Sequence, residues 1–97
     1  MKIPKQVTVG DNPYTVTAVP AIPKCRGQVD YENREIKLAK RNEKLDYAYT
    51  KAEVANTFWH ELTHAILDDM GNKLAYDEKF VSSFSDRLDQ AIKTARF

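Results

Sequence analysis

The chain changes its hydrophobic period once, near residue 50. Before that point apolar residues come in short alternating runs. Residues 6–9 and 14–19 are dense in β-branched side chains and flank Gly10, Asp11, Asn12 and Pro13, a cluster of turn formers, so the two runs are predicted to form a hairpin. Pro20, Pro23 and Gly27 then break the chain. Residues 28–31 and 34–39 are predicted to form a second hairpin around Glu32 and Asn33. In its later strand Ile36 and Leu38 alternate with charged neighbours, so one face meets solvent. Residues 40–44 read as a solvated, charged connector.

After residue 50 the period becomes helical. Thr50 and Glu53 have the spacing of a reciprocal capping box, and Gly71 stands where a helix needs a left-handed stop, which predicts one helix over 51–70. Val54, Phe58, Leu62, Ala65 and Ile66 are its expected core face, and Trp59 is expected in the core or at its rim. A second helix is predicted over 77–96, with Asp77 as the N-cap. There Phe80, Phe84, Leu88, Ala91, Ile92 and Ala95 recur at spacings of three and four and form the expected apolar stripe. No internal repeat or low-complexity tract interrupts the pattern.

Composition narrows the class. The 97 residues can close one hydrophobic core and no second, so residues 1–97 are expected to be a single domain whose site is built on its core elements. Fifteen Lys and Arg against 14 Asp and Glu leave a net charge of +1, which argues against a dedicated nucleic-acid binder. The single cysteine, Cys25, cannot form an internal disulfide and lacks the paired spacing of a zinc knuckle or redox motif, so it reads as an ordinary small residue. The first residues hold no apolar stretch of signal-peptide length, and no run approaches the ~18 apolar residues of a membrane span. An unanchored cytoplasmic monomer is expected.

The first helix carries His60-Glu61-Leu62-Thr63-His64. Histidines four apart stand one turn above the other, roughly 6 Å between Cβ atoms, so both imidazoles can converge on one zinc ion at ~2.0 to 2.1 Å. Glu61 is rotated about 100° around the axis, beside the ion and not aimed at it. That position suits a carboxylate that takes a proton from water and is not itself a ligand. A chance match in a chain of this size is on the order of a few in a thousand. The only two histidines of the chain both lie in the motif, inside its best-capped helix.

A catalytic zinc needs a third protein ligand, and no third histidine exists, so it must be a carboxylate or Cys25. This excludes the zinc-protease classes that use three histidines. Asp68 lies one further turn along the same helix, where three stacked ligands converge poorly. It reads as a partner of His64 or as a solvated helix-end residue. On the second helix Asp86 falls opposite the apolar stripe and should face water, whereas Glu78 sits at the stripe margin. Residues 71–76 can span up to ~20 Å, enough to return Glu78 to the histidines.

His60-Glu61-Leu62-Thr63-His64-Ala65 with Asp68 resembles the active-site helix of thermolysin-type gluzincins, and Asp77-Glu78-Lys79-Phe80-Val81 resembles the segment that supplies their glutamate ligand. In size and layout the chain is similar to the minimal gluzincin-like metallopeptidase domains of phages and prophages, over roughly residues 28–90. The resemblance implies that His60, His64 and Glu78 bind one Zn2+ per chain and that Glu61 is the catalytic carboxylate. Two positions depart from the pattern. Ser82 stands where those enzymes place an aspartate that orients the first histidine, and no histidine is left to stabilise an oxyanion. Tyr31, Tyr47, Tyr49 and Tyr76 are the candidates for that role, beside their packing roles.

The expected fold is therefore α+β and zincin-like, a small, mostly antiparallel sheet packed on the histidine helix with the second helix supplying Glu78. The expected activity is zinc-dependent hydrolysis of a peptide or protein substrate, which by resemblance pairs with an exposed sheet edge; residues 34–39 are the candidate edge. The rival expectation is a zinc-binding interaction or regulatory protein that keeps the fold and docks a partner.

Overall fold

A computed structural model describes residues 2–97 as a small mixed sheet with one helix packed on it and a second helix packed on the first, an α+β arrangement. Strands β1 (Gln6–Val9) and β2 (Asn12–Val19) form the expected hairpin, with Val9 opposite Asn12 and a two-residue loop. Gly10 supplies the positive φ of 60° that this loop requires. Strands β3 (Gly27–Asp30) and β4 (Glu35–Ala39) form the second expected hairpin.

The two hairpins join through a parallel pairing of β2 with β4, giving the order β1-β2-β4-β3. The sheet is thus mixed, with antiparallel outer pairs around a parallel centre. This overturns one expectation: residues 34–39 are no edge, because β4 is paired on both sides. Its Ile36 and Leu38 are fully buried and gain most from the centre of the sheet, while the polar Gln28 and Asp30 suit β3 to the rim. The predicted connector is not simply a solvated loop either. It starts a small separate hairpin, β5 (Arg41–Asn42) with β6 (Tyr47–Ala48), held by an Arg41–Asp46 ion pair at 2.7 Å and by Asn42 Oδ1 accepting from the Leu45 amide.

Helix α1 (Lys51–Asp69) has both predicted caps. Thr50 Oγ1 accepts from the Glu53 amide, Glu53 Oε1 accepts from the Thr50 amide, and Gly71 turns at φ 66°. Phe58 and Ala65 pack on Val9, Tyr14, Val16, Ile36 and Leu38, with Val54, Trp59 and Leu62 half-buried around them. Ile66, expected in this core, lies outside it and is exposed. Phe58 anchors the layer; its truncation to Ala costs ~3 to 5 kcal/mol on the scale of large core deletions.

A 3-10 turn (Lys73–Tyr76), capped by Asn72, leads to α2 (Glu78–Thr94), whose N-cap Asp77 accepts from the Phe80 amide at 3.0 Å. The rotation of α2 differs from the expectation. Val81, Ser85 and Asp89 form its buried face, and the predicted core stripe turns outward, with Phe84 50% and Ile92 47% exposed. Polar partners on α1 set this rotation: Asn56 Nδ2 donates to Asp86 Oδ1 and to Asp89 Oδ2, each at 3.1 Å, and Glu78 meets the histidines. No helix among the described residues is long and apolar enough to cross a membrane.

Candidate metal centre

Both histidines project from the side of α1 that faces α2, as their spacing requires, with ring centroids 5.0 Å apart. Glu78, the first residue of α2, reaches both. His60 Nε2 lies 3.1 Å from Glu78 Oε2, and His64 Nε2 lies 2.8 Å from Glu78 Oε1. One ligand atom from each of His60, His64 and Glu78 falls within 4.8 Å of the others. The three residues that the sequence nominated as ligands are therefore brought together, from two helices.

The tautomer of His64 is fixed by the backbone. Its Nδ1 lies 2.6 Å from the carbonyl oxygen of Ala75, which can only accept, so Nδ1 carries the proton and Nε2 offers its lone pair toward Glu78 when the ring is neutral. Asp68 is thus not a partner of His64; it is a half-exposed residue at the end of α1, the other of its two expected roles. Asp68 holds the Tyr76 hydroxyl at 2.9 Å, and the carbonyl of the 3-10 turn takes the place beside His64. Burial disfavours the charged form of His60 more than nearby Glu78 favours it, so its pKa falls below the ordinary histidine value.

Donor chemistry and spacing fit a divalent ion of the zinc type. Two imidazoles and a carboxylate leave one position open. The ligand atoms of a tetrahedral site with bonds of 2.0 to 2.1 Å stand roughly 3.3 Å apart, near the 3.1 and 2.8 Å from the two histidines to Glu78, within a group that spans up to 4.8 Å. The Glu78 side chain is 70% exposed, so the group opens to solvent on one side.

Glu61 is buried and stands outside the ligand group. Its carboxyl is pushed up to about 7, chiefly by burial, with Glu78 adding to the rise and His64 opposing it. A carboxylate of that basicity is matched to proton transfer near neutral pH. Gly27 lets it sit there. A Cβ on Gly27 would come 2.5 Å from Thr57 Cγ2 and 2.9 Å from Glu61 Cγ, so β3 approaches α1 this closely only because residue 27 has no side chain.

His60, Glu61 and Glu78 line an open cleft of about 1080 Å3, with His64 buried behind them. The loop through Pro23, Cys25 and Gly27 lines one part of it, and Leu45 and Tyr47 of the β5–β6 hairpin, with Tyr49, line another. Asn56, Thr57, His60 and Glu61 of α1 meet Glu78, Ser82 and Asp86 of α2 at the base. Asp86 is exposed, as expected, yet it is also tied to Asn56. Of the four tyrosines, Tyr47 and Tyr49 line the cleft, with the Arg26 guanidinium 5.5 Å from the centre of the Tyr49 ring. Tyr31 and Tyr76 pack edge to face at 6.2 Å. Tyr31 is pushed up to about 12 by burial and by the negative charge of Asp68, so it keeps its proton.

Three contributors escaped the sequence reading: Gly27, Asn56 and the Ala75 carbonyl. Asn56 stands one turn before His60, so the four-residue spacing that marked the histidines would also have marked it. No protein-family model, curated protein or solved structure matches this chain. What the site can do follows from its geometry alone.

Proposed function

We propose that this protein is a zinc-dependent peptidase, with His60, His64 and Glu78 as ligands and Glu61 as general base. The observation that carries the reading is a buried carboxyl with its pKa raised to about 7, adjoining a three-ligand group that borders an open cleft. Zinc supplies Lewis-acid chemistry when bound: it polarises a carbonyl and makes water acidic enough to lose a proton near neutral pH. Glu61 takes that proton as water attacks the scissile carbon, and later delivers it to the departing amine. Its burial keeps its basicity high, and the packing of Gly27 and Thr57 against it limits its freedom to turn away. The edge strand β3 (Gly27–Asp30) meets the cleft at Gly27, and its unpaired backbone groups are those on which an extended peptide aligns.

The test is hydrolysis of a mixed-sequence peptide pool by the zinc-loaded protein, followed by mass spectrometry, with Glu61→Gln as the matched control. Cleavage by the parent and not by the variant supports the reading. Equal cleavage by both, or none by either, sinks it. The second reading is a zinc-stabilised interaction protein, and the outward apolar stripe of α2, which a peptidase of this design does not use, favours it.

A further inference from the structure

Asp86 lines the cleft from α2 and is exposed, two turns or roughly 12 Å of helix beyond Glu78. Asn56, also a lining residue, stands one turn before His60 and donates from Nδ2 to Asp86 Oδ1 and to Asp89 Oδ2, each at 3.1 Å. Only the NH2 end of an amide can serve two carboxylates at once, so Asn56 holds Asp86 in place beside the histidine helix. The two acids differ in what else they meet. Asp89 is buried and paired to Lys93 at 2.9 Å, and its Oδ1 finds no hydrogen-bond donor among the described residues. Asp86 meets no Lys or Arg among the described residues, and Asn56 is the group bonded to its carboxylate. Two negative charges thus face one positive charge, and the surplus opens to the cleft at Asp86.

We infer that Asp86 recognises a lysine or arginine of the peptide that the cleft takes, within two residues of the scissile bond; this deepens the peptidase reading and rests on it. An extended peptide advances ~7 Å in two residues, and a long basic side chain covers the rest of the way from the histidines to Asp86. The chemistry of the pair selects this kind of cation. A divalent ion needs several free oxygens, whereas two of the four here already accept from Asn56 and a third is buried. An ammonium or guanidinium needs only an acceptor, which Asp86 Oδ2 offers, and its charge strengthens the bond. Elsewhere in the cleft lining Lys24, Arg26 and Lys44 outnumber Glu43, so a basic side chain is repelled there and favoured at Asp86.

The first measurement needs no turnover. Peptides carrying arginine, or its uncharged counterpart citrulline, at each position in turn are titrated into zinc-loaded Glu61→Gln. At one position arginine should bind about fivefold tighter than citrulline, the span of a well-held surface ion pair, and less so as salt rises. Adding Asp86→Asn should bring that ratio to about one while zinc content and circular dichroism stay as before, and Asp86→Glu, which keeps the charge, should preserve the preference. The second measurement maps the cuts that the zinc-loaded parent makes in the peptide pool. Lysine and arginine should be enriched within two residues of the cut, and Asp86→Asn should remove the enrichment. An absence of peptide binding, equal binding of arginine and citrulline at every position, or a preference that survives Asp86→Asn overturns the inference. An uncut pool ends the peptidase reading instead, and the binding ratio then decides for or against Asp86 by itself.

Discussion

Gly27 and Glu61 occupy neighbouring space so closely that a Cβ on the glycine would stand 3.2 Å from Glu61 Oε2. The edge strand and the helix thereby fix the carboxylate between them. In Gly27→Ala the new methyl also meets Thr57 Cγ2, and the Glu61 side chain is the more flexible neighbour. We expect peptidase turnover to fall about a hundredfold while one zinc is retained, because the ligand atoms belong to other residues. Turnover and metal content measured on the same preparation check this. Loss of metal along with turnover would mean that the methyl disturbs α1 as a whole.

Glu78 answers to two histidines, whereas Asp86, two turns further along α2, answers to Asn56. Glu78→Gln should weaken zinc binding at least tenfold by competition with a chromophoric chelator, and Asp86→Asn should leave it within a few fold. The reverse ranking would place the third ligand on the wrong turn of the helix.

Purified without added metal, the protein should carry close to one zinc per chain by elemental analysis, and His60→Ala or His64→Ala should remove it. Imidazoles bind only when neutral, so protons compete with the metal. Burial lowers the pKa of His60, so zinc should be held through neutral pH and released only below about 6. Metal content followed across a pH series checks both the site and the direction of the shift.

The parts of this fold legible in the sequence are those set by local chemistry. The caps of α1 are written in Thr50, Glu53 and Gly71, and the histidine spacing carries its own geometry. What was hidden lies between elements. Alternation in β4 shows which face is buried and says nothing of its neighbours, so its parallel partner β2 and its central place were not predictable from Ile36 and Leu38. The rotation of α2 is hidden for a different reason. Apolar periodicity pointed to the Phe80–Phe84 side, but Asn56 and the histidines hold the opposite, polar side against α1. The carbonyl beside His64 belongs to the backbone, which carries no sequence signal; only Asp68, a side chain, could be nominated from the sequence.

Glu61→Gln separates chemistry from fold, because the variant keeps the shape of the side chain and cannot accept a proton. In the metal-free protein burial favours the neutral carboxyl, raising its pKa from 4.5 to about 7, so the native state binds this proton more tightly than the unfolded chain. The contribution to stability is full below about pH 4.5 and is lost as pH rises toward 7. Glutamine stays neutral throughout. The metal-free variant should therefore be the more stable protein at pH 8, by on the order of 2 kcal/mol in urea unfolding, with the gap closing toward pH 4.5. Loaded with zinc, the same variant should lose peptidase activity by ~100-fold or more. A variant that gains stability and loses activity has a carboxylate held for catalysis against the preference of the fold. One that gains stability and keeps every biological effect of the parent would leave zinc a structural role, with the outer face of α2 as the working surface.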